Sequence, residues 1–206
     1  MNLLKLREKR KMIEKKEKKK SKVAWGITGS GEKMPETVNV MKHVKDEFED
    51  RVDLKVFVSK AGDQVLKYYK LSNFLQENFG KVLVEINSNS PFLAGQMQSG
   101  KFELLLIAPT TSNTVAKIAM GITDSMLSNA AIMSLKAYVP VYVMPSDYAE
   151  GTIVTKLPSG KDMELRIRKE DADNVRKLAQ MDRMFILKKP EDIYDLFRKR
   201  FPSKTD

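Results

Sequence analysis

Two hydrophobic periods take turns along the chain. Short apolar runs rich in β-branched residues fall at 23–27 (VAWGI), 54–58 (LKVFV), 81–86 (KVLVEI), 103–108 (ELLLIA) and 139–144 (VPVYVM), and each predicts a strand. Between them apolar positions recur at helical spacing. Met34-Pro35-Glu36 opens a helix with Val38, Met41, Val44 and Phe48 on one face and proline in the first turn. Residues 63–78 predict a second helix carrying Val65, Leu66, Tyr69 and Leu75, and 87–99 a loop with a short helix. Helices are also expected over 112–120 and 124–136. Residues 152–168 alternate polar and apolar around Pro158-Ser159-Gly160, the pattern of a projecting hairpin, and helices at 171–181 and 191–201 flank Phe185-Ile186-Leu187. Strand–helix alternation over about 120 residues requires right-handed crossovers. The expected fold class is therefore α/β: a doubly wound parallel sheet in a three-layer α/β/α arrangement, with a C-terminal hairpin and helices. The run at 103–108 is the most hydrophobic and is expected at the centre. In such sheets ligands bind outside the carboxyl ends of the strands, near the switch in strand order.

Charge adds a second segment. The 206 residues carry a formal net charge of +10, but residues 1–22 alone hold eleven Lys/Arg against three Glu. The other 184 residues are nearly balanced, so the division is a basic N-terminal arm, 1–22, and a domain at 23–206. The arm suits a solubilising or oligomer-contacting extension, an electrostatic handle for an acidic protein, or nucleic-acid binding. With no cysteine and one histidine, disulfides, thiolate metal sites, cysteine nucleophiles and multi-histidine metal centres are excluded. His43 lies on the first helix and reads as a surface residue. No apolar run is long enough for a membrane span or a signal peptide, and a cytoplasmic protein is expected.

The polar chemistry collects at strand ends. After the first strand comes Gly26-Ile27-Thr28-Gly29-Ser30-Gly31. Its glycines let backbone amides approach an anion, and Thr28 and Ser30 add hydroxyl donors. The spacing is not the dinucleotide fingerprint, and a tight structural turn is the competing account. The second strand ends Val58-Ser59-Lys60, which suits a phosphate better than a ribose diol. The fourth runs into Pro109-Thr110-Thr111-Ser112-Asn113-Thr114, followed by Ala116-Lys117-Ile118-Ala119-Met120-Gly121 and Asp124-Ser125-Met126-Leu127-Ser128. A helix cap through Ser112 or Asn113 explains one of those polar residues. Uncharged donors and acceptors in a row suit a heteroaromatic with a carbonyl-rich edge, such as a flavin.

On these segments the chain from about 22 to 144 resembles the family of flavin-containing cysteine decarboxylases and flavin prenyltransferases. Pro109–Thr114 is similar to the family's Pro-Ala-Ser-Ala-Asn-Thr segment, 116–121 to its Ala-x-Ile-Ala-x-Gly, and 124–128 to its Asp-Asn/Asp-Leu-Leu-Ser/Thr. The resemblance implies a Rossmann-like sheet, FMN, and homo-oligomers with FMN near a subunit interface. It places Thr28, Ser30 and Ser59 at the phosphate, and Thr111, Asn113, Thr114, Met126 and Ser128 around the ring or ribityl chain. With Gly29, Lys60, Pro109, Thr110, Ser112 and Ser125, these are the candidate cofactor-binding residues.

Three departures argue against decarboxylation. Ser90-Pro91 is followed by Phe92 rather than the catalytic histidine, the Pro-Ala-Met-Asn segment reads Pro145-Ser146-Asp147-Tyr148, and the substrate-lid cysteine cannot exist. Within the family the body most resembles the archaeal FMN flavoproteins that take electrons from ferredoxin. The ferredoxin-linked dihydromethanopterin reductases are a close branch. An FMN electron-transfer protein fed by ferredoxin is expected, with the Lys-rich arm docking the acidic donor. The alternatives are an FMN-dependent reductase of a small substrate such as dihydromethanopterin, and a nucleic-acid or membrane-surface binder supported only by 1–22. No side chain is expected to act as acid or base.

Overall fold

A computed structural model of the chain describes residues 20–203; most of the basic arm lies outside the described residues. Six parallel strands form one sheet in the order β3-β2-β1-β4-β5-β8. They are β1 (Ser21–Ile27), β2 (Val52–Val58), β3 (Leu83–Val84), β4 (Leu104–Thr110), β5 (Val141–Pro145) and β8 (Met184–Ile186). The two central strands are β1 and β4, paired in parallel from Val23–Leu104 to Gly26–Ile107. All seven residues of β4 are buried, which is why its sequence carries no polar alternation. The chain winds from β1 outward to β3, then returns to β4 and winds the other way. The switch point is the β1–β4 pair.

Helices cover both faces, the expected three layers. On one face α1 (Met34–Phe48) and α8 (Glu191–Arg200) pack against the side chains of Val23, Trp25 and Ile27. Trp25 stacks on Phe197 with centroids 6.2 Å apart, and Phe197 meets Phe48 edge-on at 5.7 Å. On the other face lie α4 (Leu93–Gln98), α5 (Ser112–Ala119), α6 (Met126–Lys136) and α7 (Lys169–Ala179), over Ala24, Leu105, Ile107, Val141 and Val143. Each fully buried Leu or Val of this kind contributes about 1.5–3 kcal/mol of transfer free energy. The antiparallel hairpin, β6 (Gly151–Lys156) and β7 (Asp162–Ile167), stands outside the main sheet.

Three expectations need correction. The helix anticipated over 63–78 is two, α2 (Lys60–Tyr68) and α3 (Ser72–Phe79). Lys70 takes a left-handed conformation (φ 57°), and Leu71 N donates to Leu66 O at 2.8 Å, closing the first helix with a Schellman-type turn that has no glycine to announce it. The segment around Phe185, which the sequence pattern places between two helices without assigning it to the sheet, is a sixth strand at the sheet edge. The cap of α5 is Thr111, not Ser112 or Asn113: its backbone is extended and its Oγ1 accepts from Thr114 N at 3.3 Å.

Candidate functional site

The carboxyl ends of β1 and β4 are stitched together by one buried threonine. Thr28 N and Thr28 Oγ1 both donate to Pro109 O, at 3.2 and 2.9 Å, and Thr111 N donates back to Thr28 Oγ1 at 2.8 Å. Three residues before Thr28, Trp25 Nε1 donates to Ala108 O at 2.9 Å, one residue before Pro109. The glycine-rich turn and the hydroxyl-rich turn, joined by bonds between residues 81 and 83 apart in sequence, therefore form one continuous rim.

The end of β2 joins this rim. Ser59 N donates to Ile27 O at 2.9 Å, and Ser59 Oγ caps α2 by accepting from Gly62 N at 2.9 Å. Gly29 lies so close to α2 that a Cβ there would stand 2.7 Å from the Ala61 Cβ. The glycine is needed for this close approach, since its φ is not in the left-handed region. From β3, Glu85 spans the next gap: its Oε2 accepts from Lys60 N at 3.1 Å and its Oε1 from Met126 N at 2.7 Å. One carboxylate thus satisfies amide donors at the N-termini of both α2 and α6, where the helix dipoles favour negative charge.

The candidate residues divide by availability. Thr110 Oγ1 donates to Ile107 O at 2.6 Å, Thr114 Oγ1 accepts from Thr111 Oγ1 at 3.1 Å, and Ser125 with Ser128 forms a capping box at the start of α6. Met126 and Ser128 are fully buried. These side chains shape the rim from within. By contrast, the side chains of Ser30, Ser112, Asn113 and Lys60 make no hydrogen bond or ion pair among the described residues. Ser30 is 7 % exposed, so its free hydroxyl lies in a nearly closed setting. A ligand with a phosphate and carbonyl acceptors finds unengaged donors at the ends of β1, β2 and β4, and the donor set fits FMN.

Beside the rim is a cavity of about 250 Å³ that sequence reasoning did not anticipate. Its floor is Gly29–Glu32 with Thr111 and Ser112, one wall is Ser146-Asp147 after β5, and its roof is the inward face of the hairpin, Ile153, Thr155, Met163 and Leu165. Tyr69 holds the roof down: its hydroxyl donates to Lys156 O at 3.2 Å. A Cβ on Gly31 would come within 2.8 Å of that hydroxyl. The wall is acidic. Glu32 Oε1 pairs with Lys33 Nζ at 3.1 Å, while its Oε2 is buried without a hydrogen-bond partner. Arg168 grips Asp171 through two bonds of 2.9 and 2.7 Å, which holds the Asp171 carboxyl below its ordinary value. Asp147 lies near both pairs with no cation of its own. Burial pushes its carboxyl up, and the Asp171 and Glu32 charges push in the same direction.

His43 lines a shallow solvent-facing pocket between α1 and α8, remote in the fold from the strand ends. Phe92 is 64 % exposed, after β3. Among the described residues no group of acidic and histidine side chains is arranged to hold a metal ion, and no helix is long and apolar enough to cross a membrane.

A sheet of order 3-2-1-4-5 plus an edge strand, with a polar rim at its switch point, defines a Rossmann-like α/β protein built for a phosphate-bearing cofactor. The flavoprotein family model matches residues 11–194, and the chain belongs to that family. It is 44% identical over 183 residues to an uncharacterized protein of Methanocaldococcus jannaschii, spanning 89% of this chain and 97% of the relative. It is 30% identical over 239 residues to a dihydromethanopterin reductase (acceptor) of the same organism, with 87% and 96% covered. The crystal structure of Burkholderia xenovorans DmrB in complex with FMN, described as a cubic protein cage for redox transfer, superposes with a TM-score of 0.73 at 30% identity, covering 89% of this chain and 96% of that one.

Proposed function

We propose that this chain is an FMN-dependent reductase that delivers electrons to a small organic acceptor of the reduced-pterin type. The cavity carries the reading: a space of about 250 Å³ opens directly off the candidate flavin rim, sharing Gly29, Ser30, Thr111 and Ser112 with it. A protein that only relayed electrons between partners would need no small-molecule pocket beside its flavin. The relatives named as dihydromethanopterin reductases (acceptor) and the FMN complex of DmrB support the cofactor and the reaction class.

Lys60 and Ser30 are assigned to the phosphate, and Ser112 and Asn113 to the polar edge of the ring. Thr28, Ser59, Thr111 and Glu85 fix the turns that present them. Bound FMN supplies the hydride or electron chemistry; the chain supplies position, burial and the acceptor's pocket. Ferredoxin as electron donor belongs to the same proposal. It rests on the basic arm, whose residues 1–19 lie outside the described residues. Assembly into a homo-oligomer completes it, supported by the cage described for DmrB and by the exposed Phe92, Met120 and Ile122.

The test is anaerobic spectroscopy on the purified protein. It is expected to be yellow, to release FMN on denaturation, to be reduced by ferredoxin, and to be reoxidised by a dihydropterin. A colourless protein that takes up no FMN overturns the proposal; FMN reduced but indifferent to dihydropterins reduces it to an electron carrier.

A further inference from the structure

The acidic wall of the cavity has no part in holding a phosphate or a flavin carbonyl, and it is costly. Glu32 is matched by Lys33 and Asp171 by Arg168, so the wall's unmatched charge is Asp147. A half-buried carboxylate with no hydrogen-bond donor among the described residues, whose neighbouring cations Lys33 and Arg168 are already engaged by Glu32 and Asp171, is a liability in the empty protein. Close to it, Glu32 Oε2 is sealed from solvent with every acceptor site unused. Opposite, the hairpin presents Ile153, Met163 and Leu165, side chains suited to the face of a flat ring.

Resting on the reductase reading, we propose that this cavity selects the acceptor and that Asp147 is its specificity residue, accepting two adjacent N–H donors from the edge of a planar nitrogen heterocycle. An aminopyrimidinone-like edge meets that demand, because its ring N–H and exocyclic amine point the same way and match the two oxygens of one carboxylate. The unused Oε2 of Glu32 adds a second acceptor to the same wall, so the wall disfavours ligands that turn a carboxylate or carbonyl toward it. The volume admits a fused bicycle beneath the hairpin. Any longer substituent must leave through the open side, because Tyr69 and the Lys156 carbonyl close the roof. The desolvation cost is thus charged to the empty state and relieved by the right ligand, a way of turning stability into discrimination.

Calorimetric titration of the FMN-loaded protein tests this with two probes, 7,8-dihydropterin and 7,8-dihydrolumazine, which differ in carrying an amine or a carbonyl at the edge in question. Dihydropterin is expected to bind at least tenfold more tightly. Asp147→Asn is expected to erase most of that preference while FMN content per chain, the control for an intact fold, holds. Equal binding of the two probes by the wild-type protein overturns the inference without need of any variant, as does an Asp147→Asn protein that keeps the preference. Either result can coincide with flavin reoxidation by dihydropterin, in which case the reductase reading stands and only the assignment of Asp147 fails. A protein that binds no FMN at all fails at the earlier step.

Discussion

Replacing Thr28 with valine tests whether the two turns act as one rim. The substitution keeps shape and volume and removes the hydroxyl. Two hydrogen bonds disappear: the one Thr28 Oγ1 gives to Pro109 O at 2.9 Å and the one it takes from Thr111 N at 2.8 Å. Pro109 O retains the bond from Thr28 N at 3.2 Å, so it is not stranded. Thr111 N is stranded, and an unsatisfied donor in a site that is 1 % exposed at Thr28 costs about 1–3 kcal/mol, with the lost hydroxyl bond adding about 1 kcal/mol. The added methyl returns about 0.8 kcal/mol. The expected loss is therefore about 2 kcal/mol, a shift near 1 M in the urea midpoint for a slope of about 2 kcal/mol per M. It should be measured on protein stripped of flavin, because bound cofactor stabilises by mass action and would mask the local term. Thr28→Ser, which keeps both bonds, should cost less than half as much. The same valine variant should hold less FMN per chain, since Thr111 and Ser112 are no longer fixed against the glycine turn. A Thr28→Val protein within 0.5 kcal/mol of wild type, or a serine variant equally damaged, would show that the turns are held together by something other than this hydroxyl.

Three more expectations follow from the same region. Glu85→Ala removes the acceptor shared by Lys60 N and Met126 N; because the carboxylate is only half-buried, water replaces part of it, and a loss of about 1–2 kcal/mol in urea unfolding is expected, with Glu85→Gln intermediate. No change for Glu85→Ala would remove the residue from the rim. Gly29→Ala drives a methyl against the Ala61 Cβ and the α2 backbone, so overpacking of about 1–3 kcal/mol and a drop in FMN content should appear together, and a variant that binds FMN normally would show that α2 yields freely. Asp147 gives a pH signature. Its carboxyl is raised in the folded protein, chiefly by burial and then by Asp171 and Glu32, with Arg168 and Lys33 opposing, so the folded state holds this proton more tightly than the unfolded chain. Stability from this group is full at acid pH and is lost as pH climbs from the unfolded value through the folded one. Asp147→Asn should be more stable than wild type at pH 7, by up to about 1 kcal/mol given solvent screening, and no more stable at pH 3. Identical curves at both pH values would mean the carboxylate is already compensated.

The layered sheet was readable because its evidence is repeated: each strand is a run of apolar residues bounded by helical spacing, and β4 announces its central place by an unbroken apolar run from Leu104 to Pro109. The rim was readable for a different reason, since Thr28, Ser30, Ser59 and Thr110–Thr114 all follow strands and a parallel sheet must bring strand ends together. What escaped depends on contacts the order of residues does not encode. Lys70 ends a helix by adopting a left-handed backbone without glycine or proline. β8 has three residues, too few to show a period, and Phe185 on it is 45 % exposed. The partners of Glu85 are main-chain amides 25 and 41 residues away, which leave no trace in side-chain identity. Asp147 was visible only as a departure from the decarboxylase pattern; the hairpin packed above it makes that position a cavity wall, and the fall of a hairpin onto its own domain has no sequence period.

The chain's single tryptophan lies on β1, three residues before Thr28. Trp25 is fully buried, and its indole N–H is tied to Ala108 O, the carbonyl immediately before the proline that opens the rim. A fluorophore so placed emits from a rigid, dry setting, and FMN bound at the rim is expected to quench it. The protein thus carries its own optical gauge of cofactor occupancy, readable in a cuvette without label or assay chemistry.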